Sequence, residues 1–102
     1  MDFRPFALAY QEQSDTLVVT GSIDETVGPE LRQAIERHSA GYTRDLTIDL
    51  GDVDFLPSLG VGVLALAMRS ADQNGVTMSL VAVEGTVAQR VLSICALPHT
   101  LR

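Results

Sequence analysis

In the stretch "DFLPSLGVGVLA" (residues 54–65), Ser58, Gly60 and Gly62 interrupt an otherwise apolar run. Small residues ahead of a helical run can cradle a phosphate, approach a dinucleotide, cap the helix or carry a modification. "GVGVLA" fits G-x-G-x-x-A, and Glu84 follows a later strand at about the ~20-residue distance at which an acidic residue meets a ribose. That would make a small nucleotide-binding protein. In such a site the first glycine follows its strand almost at once, whereas eight residues separate Leu50, where strand-like alternation stops, from Leu59. A Walker loop needs Gly-Lys-Ser/Thr, and the seven basic residues are all Arg: Arg4, Arg32, Arg37, Arg44, Arg69, Arg90 and Arg102.

The remaining reactive side chains read as ordinary structure. Asp24, Asp49, Asp52 and Asp54 fall near strand ends and could approach each other, but they read as solvated loop carboxylates rather than as a metal site. His38 and His99 are isolated, with His38 along a helix face. Cys95 is alone, which rules out an intramolecular disulfide, and reads as a small core residue. No Ser/His/Asp arrangement follows from the spacing. The expectation is a protein that is not an enzyme, with no cofactor and no metal.

Ser58 keeps two readings. It is a preferred N-cap type, Leu59 starts the helical period, and Pro57 biases Leu56 toward extended backbone. Capping does not explain two glycines in the first turn, each costing about 1 kcal/mol against Ala. Alternatively, a helix amino terminus tolerates a phosphate. Phosphorylation there would set nearly two negative charges on a surface of Leu59, Gly60 and Val61, and would expel a docked partner.

The elements that would hold this stretch follow from periodicity. Residues 6–11 and 16–21 form a hairpin around Ser14-Asp15. "DETVGPELRQAIERHSAG" is a helix with Pro29 in its first turn, Leu31, Ala34, Ile35 and His38 on one face, and Gly41 at its end. Residues 45–50 alternate as a strand. "VGVLALAMRSADQNG" is a helix stopped at Asn74-Gly75, and 76–83 a strand. In a last helix Val87, Val91, Ile94 and Cys95 share a face. The order β-β-α-β-α-β-α requires a mixed sheet, because parallel neighbours need crossover helices.

With 102 residues, 46% of them apolar, the chain is read as one globular domain, 1–102. A net charge of −6 with scattered arginines argues against direct nucleic-acid binding. There is no apolar run of membrane-spanning length and no basic-then-apolar leader, so no membrane insertion is expected. The lone cysteine fits a cytoplasmic location.

"LTIDLGDVDFLPSLGVGVLALAMRSADQNGVTMSLVAV" resembles the central signature of STAS-domain proteins, the anti-sigma factor antagonists. That signature is a strand, an acidic turn, Phe-hydrophobic-Asp-Ser-Ser/Thr-Gly-hydrophobic-Gly, and a helix. "VVTGSIDETVGPELRQAI" is similar to the family's Gly-x-Leu-Asp…Pro-x-Leu segment, and with "VAQRVLSICAL" the likeness spans Leu17 to Leu97. The resemblance implies a mixed four- or five-stranded sheet with helices mainly on one face. It also implies partner switching: the antagonist binds an anti-sigma factor that is a GHKL-type serine kinase and so controls sigma-factor-dependent transcription, as in stress responses. The kinase phosphorylates the antagonist to end the complex, and a PP2C-type phosphatase resets it. Carried over residue by residue, Ser58 falls on the phosphoacceptor, Gly60 and Gly62 on the motif glycines, and Asp24 on the first motif's aspartate. Asp24, Ser58, Leu59, Gly60, Val61 and Gly62 would then form the partner surface. Pro57 replaces the usual Asp, Leu59 the second Ser/Thr and Val27 a Thr. These departures keep open a STAS module that is not phosphorylated and serves as a signalling scaffold or a transporter regulatory subunit.

Overall fold

A computed structural model describes residues 4–102. Strands β1 (Ala7–Gln11) and β2 (Thr16–Ser22) form the expected antiparallel hairpin, closed by a 3-10 turn and by Asp15 in the left-handed region. Helix α1 (Gly28–His38) then leads to β3 (Leu46–Phe55), α2 (Ser58–Gln73), β4 (Met78–Ala82), α3 (Val87–Ile94) and a short β5 (Thr100–Leu101). The five strands lie in the order β1-β2-β3-β4-β5, and every pair after the first is parallel. Right-handed crossovers that always step in one direction put their helices on one side of a sheet. Burial agrees: Leu17, Val19, Leu46, Ile48, Leu80 and Ala82 lie under the helices, and their alternate neighbours are only half-covered. The expected architecture, a mixed sheet with helices mainly on one face, is therefore present, and β5 supplies a fifth strand that periodicity did not mark.

The largest departure concerns β3, which runs on to Phe55 instead of stopping at Leu50. Its pairing with β2 shifts between Val18↔Asp49 and Thr20↔Asp52, which is a bulge at Leu50-Gly51. A bulge adds one residue and inverts the side-chain alternation. Leu46, Ile48 and Leu50 face the core before it, and Val53 faces the core after it. Gly51 leaves room there for the Arg102 guanidinium, whose Nε lies 3.1 Å from the Asp49 carboxylate.

Helix α3 departs in a second way. It buries Ala88 and Leu92 against the sheet and leaves Val87 and Ile94 49% and 84% exposed. Cys95, read from sequence as a core residue, is exposed as well. Two apolar stripes run along this helix at i, i+4 spacing. The one bearing small Ala88 packs, because it lets the backbone come close to β3.

Candidate functional site

β3 carries the chain to the end of the sheet where its parallel strands terminate, the end at which open α/β sheets present ligand-binding crevices. Past Phe55, Leu56 turns inward and is buried. Pro57 holds extended backbone (φ −79, ψ 172), and α2 begins at Ser58. The Pro57 carbonyl accepts the Val61 N–H at 3.1 Å. Pro57 is thus the half-helical residue and Ser58 stands one place inside the helix. The N-cap reading of Ser58 is corrected accordingly: no side-chain cap bond forms. A capping oxygen must come from the extended residue before the first turn, and proline occupies that place. Ser58 is exposed, and its hydroxyl makes no hydrogen bond among the described residues. The first N–H groups of α2 have no intrahelical acceptor, and its first turn holds no acidic residue to offset the positive end of the helix dipole.

The two glycines have different reasons. Gly60 is buried, and a Cβ on it would stand 2.8 Å from Leu56 Cδ1 and 3.0 Å from Ile23 Cγ2. It seats the first turn of α2 against the end of β2 and lies beneath the surface, which corrects its expected place on the docking face. Gly62 is exposed, and a Cβ there would meet nothing within 4 Å. No contact within the chain needs Gly62 to be glycine. The separation that argued against a dinucleotide fingerprint does not exist, because only Leu56 and Pro57 lie between β3 and α2. What stands against that reading is placement. Both glycines are inside the helix, and the space beside Gly60 is filled by Leu56 and Ile23.

Leu59 is 47% exposed and lies over the first residue of α1, its Cδ2 3.1 Å from where a Cβ on Gly28 would be. Together with Pro29, Arg32 and Val63 it lines a groove of about 440 Å3 between α1 and α2. Val61 is half-buried against the core. Asp24 stays exposed and organises the turn before α1, its carboxylate accepting from Thr26 N–H at 2.9 Å and Thr26 Oγ1 at 2.6 Å. The Thr26 hydroxyl, then the Thr26 N–H, hold the Asp24 carboxyl below its ordinary range. Ile23, just before it, donates its N–H to the Phe55 carbonyl at 3.0 Å. Asp24, Ser58, Leu59, Val61 and Gly62 are therefore gathered at one end of the molecule.

Sequence reasoning missed three members of this end. Phe55 is 38% exposed at the close of β3. Gly28 gives Leu59 its seat. Arg4 binds across β2 and β3: its N–H and Nε donate to Asp54 at 3.2 and 3.4 Å, its guanidinium meets the Asp52 carbonyl, and its own carbonyl accepts the Ser22 N–H. The Ser22 hydroxyl at 2.7 Å, followed by Arg4, keeps Asp54 low. Gly21, at φ +82, is the available signal, since any Cβ there would strike the Pro5 carbonyl. The four aspartates singled out from sequence form no metal-holding group among the described residues: Asp49 binds Arg102, Asp54 binds Ser22 and Arg4, Asp24 binds Thr26, and Asp52 meets Arg4 through its backbone carbonyl alone. His38 stacks on Tyr10 at 4.0 Å between ring centroids, and His99 Nδ1 lies 2.8 Å from the Leu97 carbonyl.

Residues 6–97 match the family model described as "Mlab, STAS domain". Among solved structures the chain is similar to an anti-sigma factor antagonist from Mycobacterium paratuberculosis, at 25% identity and a TM-score of 0.76, over 94% of this chain and 86% of that one. It is also similar to the anti-sigma factor antagonist SpoIIAA in its unphosphorylated form (20% identity, TM-score 0.72, 96% and 88% covered). The phosphorylated form of the Bacillus cell fate determinant SpoIIAA gives 19%, 0.68, 96% and 91%. At those last two identities the likeness is one of fold.

Proposed function

The chain belongs to the STAS-domain family, and from that premise we propose that it is an anti-sigma factor antagonist whose grip on an anti-sigma kinase is released by phosphorylation of Ser58. The observation that carries this reading is the position of Ser58: exposed, uncapped, first in its helix, and beside the apolar surface of Leu59 and Phe55. Ser58 Oγ would attack the γ-phosphorus of ATP held by the kinase. The bond to the β-phosphate oxygen breaks, ADP leaves, and the hydroxyl proton passes to a base on the kinase. The phosphate then meets the unpaired N–H groups of α2, which stabilise it without moving the helix. The partner is lost through charge and desolvation where the uncharged side chains of Leu59 and Val61 had met it. A PP2C-type phosphatase would restore the hydroxyl.

Incubation with an anti-sigma kinase and ATP, followed by intact mass, tests the assignment. One phosphoryl group on the wild type and none on Ser58→Ala is the expected result, and a gain retained in Ser58→Ala overturns the site. A second reading draws on Pro57 and Leu59 together with the family description. In that reading the same surface docks permanently, as part of a signalling scaffold or a transporter assembly. Binding that Ser58→Asp leaves unchanged would favour it.

A further inference from the structure

We infer that two copies of this chain associate through the free edge of β1, joining their sheets across a twofold axis. The inference does not rest on the role given to Ser58. β1 ends the sheet, and nothing among the described residues pairs with its outer side. Sheet edges are ordinarily blunted by charges, prolines, bulges or extreme shortness. The opposite edge, β5, has two residues, but β1 has five, "ALAYQ", with no charge and no proline. Above it lies an open groove of about 490 Å3 between β1 and α1, lined by Leu8, Tyr10, Glu30, Gln33, Arg37 and His38.

The lining is self-complementary. Glu30 lies three residues before Gln33, and Arg37 three after Ala34, so the charges are symmetric about the 33–34 midpoint. They stand seven residues apart on one helix, about 10 Å along its axis, too far to meet each other. Neither has an ion-pair partner among the described residues, although Arg32 and Glu36 beside them pair at 3.0 Å. β1 is symmetric about Ala9. Antiparallel pairing there sets Leu8 against Tyr10 of the second copy, brings the two α1 helices alongside on the same face, and places each Glu30 opposite Arg37 of the other copy. In an interface of this kind, if residue i meets j then j meets i. The two Ser58 ends then point in opposite directions and both remain open.

Sedimentation equilibrium from micromolar to millimolar concentration tests this. The expected mass rises from the 11.0 kDa of one chain to twice that value. Glu30→Arg and Arg37→Glu, both exposed and so compatible with folding, should each weaken association at least about tenfold, as loss of close interfacial charge pairs does. The double variant should recover it. Because the exchange sets both charges against the α1 dipole, recovery cannot come from a firmer helix. A mass of 11.0 kDa at every concentration overturns the inference. So does association that the single reversals leave intact, or that the double variant fails to regain.

Discussion

Ser58 and Gly60 stand two residues apart in the first turn of α2, one left open to solvent and the other packed against Leu56 and Ile23. Ser58 contributes no cap bond, so its side chain does little for the fold. Ser58→Ala is therefore expected to change unfolding free energy by less than about 0.5 kcal/mol, where loss of a true N-cap costs about 1 kcal/mol. Urea unfolding measures the difference, and a cost near the larger figure would return Ser58 to the cap. Leu59 makes the complementary point. It stands where the family motif has a hydroxyl, and it is held half-exposed by the bareness of Gly28. An exposed apolar side chain therefore stands beside Ser58.

Among the elements, α3 is the case in which periodicity supplied two answers. Val87, Val91 and Ile94 form one stripe and Ala88 with Leu92 the other; the second is fully buried, whereas of the first only Val91 packs, and that partly. Leu92→Ala should cost about 2–5 kcal/mol, the usual range for emptying a buried leucine site, while Ile94→Ala should be nearly neutral. Thermal or urea unfolding of the two variants checks this, and equal losses would contradict the packing. β3 is the parallel case for strands. Its alternation broke at Gly51 because of the bulge, so a strand reading that depends on alternation stops early. That early stop supplied the separation used to reject a cofactor loop; the longer strand removes it, and the burial of Gly60 stands in its place.

At the scale of the molecule, the end that carries Ser58 is tied together by carboxylates. Asp24 organises the turn before α1, and Asp54 joins Ser22 and Arg4. Both are held below the ordinary 3.8 in the folded state, first by Thr26 and by Ser22 respectively. A depressed carboxyl binds fewer protons folded than unfolded, so its contribution is present above the unfolded pKa and fades as pH falls through the folded value. Stability should therefore decline as pH falls below about 4, and Asp54→Asn should make that decline shallower. Urea midpoints between roughly pH 2.5 and 6 measure it. An unaltered slope in the variant would remove Asp54 from the account.

The sequence by itself determined the alternation of elements, the hairpin, the stop at Asn74-Gly75 and the core stripe of Leu31 and Ile35, because these follow from local periodicity and turn chemistry. Two quoted motifs were enough to mark the family and to single out Ser58. Only the tertiary structure decided which stripe of α3 packs, how far β3 runs, and that Gly60 is covered while Gly62 is bare. It alone showed that Arg4 crosses to Asp54, fifty residues away in the chain. Each of these depends on what lies opposite a residue in space. Spacing along the chain fixes the direction in which a side chain points, but not what it meets.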